Sequence, residues 1–330
     1  LGALLWTQAD YLAARDAYQQ ALIISQEIED LRREWSILNH LGIIAKGLGE
    51  HAKAIEYYDQ TLAIGRQIGD RLGESIALIN LGNVSLAIGD YARARNYAIL
   101  ALPIIKEIDD RKDLGIVYAN LGEVNYLIGD YVQAKEHAEK GLEVCREINF
   151  RMGEGIILGN LGQIAWSIGN YDLAKKFAEQ SLTIAGEVGD RLGETTVLKN
   201  LGDALLKMNN LEEAENAYTQ ALEISASLDQ VKEILQAKAG LASVALKENT
   251  PERISKAEDL VDEILPHLES SGKHQSRVSC PLDVYMICLH VLQASEDPRA
   301  ITFLKDSYQE LQARASRICL LYTSPSPRDI

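Results

Sequence analysis

The chain repeats itself every 40 residues, and that period limits its fold more than any other feature of its 330 residues. Slid against itself by that interval, the sequence aligns without gaps from Leu1 to Leu241. Leucine recurs at Leu1, Leu41, Leu81, Leu121, Leu161, Leu201 and Leu241, followed by glycine at Gly2, Gly42, Gly82, Gly122, Gly162 and Gly202. Alanine follows thirteen places after each leucine, at Ala14, Ala54, Ala94, Ala134, Ala174 and Ala214. A second leucine series runs through Leu22, Leu62, Leu102, Leu142, Leu182 and Leu222. Self-similarity at a fixed period of roughly 20 to 50 residues points to stacked units, each burying its apolar face against its neighbours.

Inside one unit the periodicity is helical. Leu81, Val84 and Ile88, then Ala94, Ala98, Ala101, Leu102 and Ile105, recur at spacings of three and four. Gly89-Asp90, Gly129-Asp130 and Gly169-Asn170 divide the unit in two, because glycine accepts the left-handed dihedrals after one helix and Asp or Asn caps the next. The second boundary reads Gly69-Asp70 and Gly189-Asp190, followed by Arg71 and Arg191. The chain is therefore predicted to be all-α, with two helices per unit of roughly 16 to 18 residues, about 25 Å long at 1.5 Å per residue. Glycine at the second position and alanine at the fourteenth let paired helices approach closely. Tyr11, Tyr91, Tyr131 and Tyr171 are expected to wedge between neighbours as core. Pro103 falls inside a second helix, where its missing N–H predicts a local kink.

The string N-L-G-x-x-x-x-x-x-G-D-Y-x-x-A, followed by A-L-x-I, resembles the tetratricopeptide repeat in its long, 40-residue form, similar to that of kinesin light chains and the Leu-Gly-Asn-repeat scaffold proteins. The resemblance covers residues 1 to about 246. It implies a right-handed superhelix, an α-solenoid of antiparallel helix pairs, with the first helix of each pair lining a concave channel. Residues 1–240 make six such repeats, the first truncated at its N-terminus. A degenerate seventh and a loop occupy 241–280, with about three extra residues before Ala257 and with Pro251 and Pro266 ending the regularity. A helix pair within 281–318, read at 284–294 and 298–318, would cap the array. The stretch from Val291 to Ile318 resembles the end of the repeat arm in large bacterial signalling proteins that join a nucleotide cyclase or other output domain to an NTPase module.

Leu1 already falls within a repeat, so the N-terminus is expected to be a cut edge. At the other end, residues 319–329 read C-L-L-Y-T-S-P-S-P-R-D, the translation of a transposon-end sequencing adapter. Residues 319–330 are expected not to be native and are set aside.

Charge and motifs narrow the function. With 33 Lys and Arg against 48 Asp and Glu, the net charge is -15, which repels phosphate backbones and anionic membrane surfaces; no basic patch offsets it. No apolar run approaches the roughly 18 residues of a membrane span. The four cysteines, Cys145, Cys280, Cys288 and Cys319, form no C-x-x-C pair, which argues against a disulfide scaffold or a zinc site and for a reducing, cytoplasmic setting. No phosphate-binding loop, zinc-binding H-E-x-x-H or nucleophile elbow occurs, and the six histidines are scattered. His40, which stands where other units carry Asn, is expected at the surface. This stretch is expected to be non-catalytic, with neither cofactor nor metal, whatever a longer parent carries.

Recognition is the remaining reading. In the tetratricopeptide pattern the Asn before Leu-Gly faces the channel, which here implies a ladder of Asn80, Asn120, Asn160 and Asn200. An amide both donates and accepts, so a ladder of them can satisfy the backbone of an extended peptide whatever its side chains. Each Asn bonding the neighbouring helix instead is the structural alternative. The same face should carry Asn83, Glu123, Gln163 and Asp203, with Leu86, Tyr126, Trp166 and Leu206 one turn along. Tyr126 and Trp166 read either as hot-spot anchors or as packed core. Ile76, Ile116 and Ile156 make the channel apolar, favouring a hydrophobic or amphipathic partner, while Lys199 and Lys207 add positive charge at one end. Arg71, Arg111, Arg151 and Arg191 are expected to form ion pairs between repeats. The expected function is a protein interaction scaffold that holds a peptide or helix of a partner. The alternatives are a sensor arm packing on its own upstream domains and a passive spacer or self-association module.

Overall fold

The computed structural model describes residues 11–269, 282–309 and 312. Leu1, Gly2, much of the expected loop, Cys280, Cys319, the end of the last expected helix and the adapter-like string lie outside them. The chain divides into two compact units, Leu1–Phe150 and Arg151–Ile330.

The first unit contains α1 (Tyr11–Glu27), α2 (Leu31–Gly47), α3 (His51–Ile68), α4 (Arg71–Ala87), α5 (Tyr91–Ile108), α6 (Arg111–Leu127) and α7 (Tyr131–Glu147). The second contains α8 (Arg151–Ser167), α9 (Tyr171–Val188), α10 (Arg191–Lys207), α11 (Leu211–Ser227), α12 (Val231–Glu248), α13 (Pro251–Glu269) and α14 (Leu282–Ala294), then α15 at 299–309. Among the described residues there is no strand. Turns this short force antiparallel neighbours. Within each unit the pairs α2–α3, α4–α5 and α6–α7, or α8–α9, α10–α11 and α12–α13, stack as an α-solenoid.

The turns obey a stricter rule than the repeat alone suggests. Every twentieth residue from Glu29 to Asn249 has a positive φ. Glycine fills the position at Gly49, Gly69, Gly89, Gly129, Gly169 and Gly189, but Asp109, Asn149, Asn209, Asp229 and Asn249 serve equally, since short polar side chains tolerate the left-handed region. In most turns the next residue caps the following helix: Asp30, Asp70, Asp90, Asp110, Asp130, Asn170 and Asp190 each accept from the backbone N–H three places on. Losing such a cap costs about 1 kcal/mol.

The glycine and alanine series act as expected where they face each other. A Cβ on Gly122 would lie 3.3 Å from the Ala134 carbonyl oxygen, so the helices meet almost backbone to backbone. Leu41, Leu81, Leu121 and Leu161 are buried, each contributing roughly 1.5–3 kcal/mol. The tyrosines after the caps depart from expectation. Tyr11, Tyr91 and Tyr171 are only half-buried and Tyr131 is exposed; the rings of Tyr131 and Tyr171 meet Tyr126 and Trp166 of the preceding helix, while that of Tyr11 lies against Gly47 of α2. The most deeply buried tyrosines among the described residues are Tyr58 and Tyr218, whose rings press on Gly42 and on Gly202 and Gly240. His40, expected at the surface, is half-buried, its ring stacked on Tyr18 at 5.0 Å and its Nδ1 2.7 Å from the Ser36 carbonyl oxygen. α5 runs through Pro103, which sits on an exposed face; there water can satisfy the carbonyl its ring leaves unpaired.

The seventh pair keeps its spacing. Pro251 opens α13 forty residues after Leu211 opens α11, in the first helical position where a missing N–H costs little. Ala257 is buried at the place of Ala217, so no extra residues separate it from the repeat. Val284, Cys288, Leu292 and Phe303 then pack against Leu235, Ala239 and Val261, covering the last apolar face.

The repeated arginines do form ion pairs, though with glutamates rather than with the neighbouring aspartates. Arg71 reaches Glu74 at 2.7 Å and Glu107 at 2.6 Å, Arg111 reaches Glu147, and Arg151 reaches Glu154 at 2.6 Å and Glu187 at 2.5 Å. Each thus ties the start of a first helix to the end of its pair mate. In the second unit Arg253 and Lys256 on α13 hold Glu215 on α11 at 2.8 and 2.7 Å and depress its carboxyl to about 2. A carboxyl depressed by folding stabilises above its unfolded value of 4.5 and loses that contribution as pH falls towards 2. Glu215→Gln should therefore melt below the wild type at pH ~7, with the gap closing towards pH ~2, by an amount tempered by solvent screening. Thermal melts across that range check this; an unchanged gap contradicts it.

Candidate functional site

The expected recognition surface lies on the first helix of each pair, and the two units treat it differently. In the first unit the amides already have partners. Asn80 donates through Nδ2 to Asn39 Oδ1 at 2.9 Å, and Asn120 donates to Asn83 Oδ1 at 2.9 Å. These bonds join α4 to α2 and α6 to α4. Asn83 and Asn120 border a void of only about 10 Å³, the size of one water. Glu123 is half-buried, and burial pushes its carboxyl up. Tyr126 packs on Tyr131 with centroids 6.0 Å apart.

In the second unit Asn160, Gln163 and Asn200 converge on a hollow of about 210 Å³ between α8, α9 and α10. Among the described residues neither Asn160 nor Asn200 has a side-chain hydrogen bond. The difference is local and partly legible. Asn80 finds its acceptor 41 residues back, at Asn39; the residue 41 before Asn200 is Gly159, which has no side chain. Asn39 was missing from the sequence-based site, and the i−41 spacing is the signal that finds it.

Gly159 also opens the hollow. In the first unit the same repeat position carries Asn39, Ile79 and Ala119, of which Ile79 is buried at 8% exposure. A Cβ on Gly159 would meet Ser181 Oγ at 3.6 Å and Val197 Cγ2 at 4.0 Å, ordinary contacts. A glycine inside a helix costs about 1 kcal/mol relative to alanine. Gly155, by contrast, is needed for packing, because its Cβ would lie 3.0 Å from Ile184 Cγ2. The floor is apolar through Ile184, Ala185 and Val197, and the rim carries Met152 at 48% and Ile156 at 51% exposure. Ser181 Oγ is satisfied by donating to the Gly155 carbonyl at 2.7 Å. Asp190, the one ionisable side chain of the lining, accepts from the Gly193 N–H at 2.9 Å.

Trp166 lies outside the lining of the hollow. It is 36% exposed, meets Tyr171 edge-on at 6.4 Å and has the Lys207 ammonium 5.7 Å above its ring. Of the two lysines expected to add positive charge at this end, Lys199 is neutralised. Lys199 pairs with Asp203 at 2.7 Å and with Asp283 of α14 at 3.6 Å; despite the cost of burial, these carboxylates hold it protonated. Tyr218 donates to Asp203 at 2.6 Å, completing the cluster. Asp283 has no signal in the repeat pattern because α14 lies beyond it. Among the described residues no three His, Cys, Asp or Glu side chains are grouped to hold a metal, and no helix is long and apolar enough to cross a membrane. What the arrangement offers chemically is two unengaged amides beside a largely apolar recess whose one carboxylate, Asp190, caps a helix.

The sequence matches the family model of the tetratricopeptide repeat at residues 1–67, 33–107, 73–147 and 153–227, about two thirds of the chain. No curated protein matches it. Among solved structures, a Signal Transduction ATPase with Numerous Domains from Pyrococcus horikoshii, described as having a tetratricopeptide repeat sensor, is similar with a TM-score of 0.64 and 19% identity over 95% of this chain. This chain spans only 45% of that protein. The apo quorum sensor NprR from B. thuringiensis is similar with a TM-score of 0.70 and 13% identity, over 93% of this chain and 84% of its own. A Rap protein complexed with competence and sporulation factor has a TM-score of 0.66 and 14% identity, over 91% of this chain and 85% of its own. At such identities the likeness is one of fold.

Proposed function

Because this chain belongs to the tetratricopeptide repeat family, we propose that it is a non-catalytic scaffold whose second unit holds an extended segment of a partner protein along α8 and α10. The observation that carries this reading is the pair of unengaged amides, Asn160 and Asn200, bordering one hollow. Each can donate to a backbone carbonyl and accept from a backbone N–H, so the pair suits a main chain irrespective of sequence. Met152 and Ile156 on the rim favour a partner segment that is partly apolar. The net charge of -15 weighs against nucleic acid, and the cysteine pattern favours the cytoplasm. The Rap protein complexed with competence and sporulation factor is a precedent of the same fold solved with a bound partner.

A second reading, that the chain is the sensor arm of a larger bacterial signalling ATPase or nucleotide cyclase, is favoured by the Pyrococcus horikoshii protein. The present chain matches that protein over nearly its own full length but less than half of the other. On that reading the groove's occupant is an upstream domain of the same polypeptide.

Peptides selected from a random display library against the wild-type chain test the proposal. They should be lost from an Asn160→Ala/Asn200→Ala variant and kept by an Asn80→Ala/Asn120→Ala variant. Equal retention by both variants contradicts it.

A further inference from the structure

Gly159 is a helical glycine without a structural reason. Its φ is not positive, so no turn requires it, and a Cβ there would make only ordinary contacts at 3.6 and 4.0 Å. Helix propensity disfavours it. Its counterpart Ile79 is buried, so this position can carry a large side chain in a stack of this kind. What the glycine leaves behind is specific: a recess of about 210 Å³ floored by Ile184 and Val197, and an Asn200 with no acceptor in the place where Asn39 serves Asn80.

From this we infer that Gly159 sets the specificity of the site, keeping open a socket for one uncharged aliphatic or single-ring side chain of an extended partner segment. The inference rests on the scaffold reading above and adds what the site selects. Size agrees, since an apolar cavity of about 150 Å³ already admits benzene. Charge decides the class. Asp190 is committed to capping α10, and the nearby guanidinium groups are committed as well, Arg151 to Glu154 and Glu187, and Arg191 to Glu194 at 2.5 Å. A carboxylate entering the recess would lose its hydration and face the Asp190 carboxylate, and an ammonium would have only that carboxylate, already shared with the Gly193 N–H, to set against the same loss. Alanine would leave most of the recess unfilled.

The probes are acetylated, amidated peptides Ala-Ala-Xaa-Ala-Ala with Xaa as Ala, Leu, Phe, Asp or Lys, titrated into the whole chain while backbone resonances of residues 152–200 are followed. The Leu and Phe peptides should bind at least about tenfold more tightly than the other three, the change expected from burying one such side chain. Gly159→Ile, which copies Ile79, should abolish that preference. Gly159→Ala, which alters the recess least, should raise the melting temperature and reduce the preference only in part. It keeps the test decisive if Gly159→Ile does not fold. A preference unchanged by either variant overturns the socket and leaves the groove reading intact. A fall in melting temperature for Gly159→Ala overturns the premise that the glycine is structurally dispensable. If no peptide shifts residues 152–200, the socket and the groove reading fall together.

Discussion

Tyr218→Ala is expected to destabilise the second unit by about 3–5 kcal/mol, the range for emptying a large aromatic site in a core. The ring is 1% exposed and fills a slot between α10 and α12. A Cβ on Gly202 would approach it to 2.7 Å, and one on Gly240 would overlap it. Its hydroxyl donates to Asp203 at 2.6 Å, so Tyr218→Phe should still cost about 1.5–3 kcal/mol, the usual worth of a hydrogen bond to a charged group. Tyr58 provides the control. It occupies the same repeat position, is fully buried, and its hydroxyl has no partner; the residue at the place of Asp203 is Ile43. Tyr58→Phe should therefore be neutral or stabilise by about 1 kcal/mol, since it removes a buried hydroxyl that nothing satisfies. Denaturant midpoints at unchanged m-value measure both. Equal costs for the two Phe variants would remove Asp203 from the account.

The second large effect concerns affinity. Losing the amides of Asn160 and Asn200 together should weaken a bound extended peptide by about 10- to 100-fold, at roughly 0.5–1.5 kcal/mol per hydrogen bond. The fold should be almost unaffected, because neither side chain is bonded to the protein. Asn80→Ala/Asn120→Ala should show the reverse, losing about 1 kcal/mol of stability per site as the Asn39 and Asn83 carbonyls lose their donors. Affinity at the second unit should then stay within about twofold. Calorimetric titration with a selected peptide, beside denaturation of the same variants, separates the two. Two double variants that behave alike would contradict the division between engaged and unengaged amides.

How far the sequence reaches follows from which forces repeat. The helix pairs were legible because glycine after each helix and a cap after each glycine recur with the chain, as Gly89-Asp90 and Gly129-Asp130 show. Asp109 and Asn149 were less visible, since those residues adopt left-handed dihedrals less often than glycine. The ladder was legible as a row of amides, but its state was not. Whether an Asn faces a guest or a neighbour depends on which residue about one repeat back lies within reach: Asn39 and Asn83 accept from Asn80 and Asn120, whereas Gly159, in the place of Asn39, offers Asn200 no side chain. Trp166 and Lys199 read as groove features by register alone. Asp203 is four residues on from Lys199 along the same helix and so legible, but Lys207 over Trp166 and Asp283 beside Lys199 come from tertiary packing, and Asp283 sits on a helix outside the repeat, so no periodicity predicts it.

Hydrogen exchange of the four Asn side-chain amides, followed by NMR before and after adding a selected peptide, is the most direct measurement. The free protein should show slowed exchange for Asn80 and Asn120 and near-unprotected exchange for Asn160 and Asn200, with protection of the latter two appearing only when peptide is bound. Protection of Asn160 and Asn200 in the free chain, or a bound peptide that leaves both unprotected, would contradict the account.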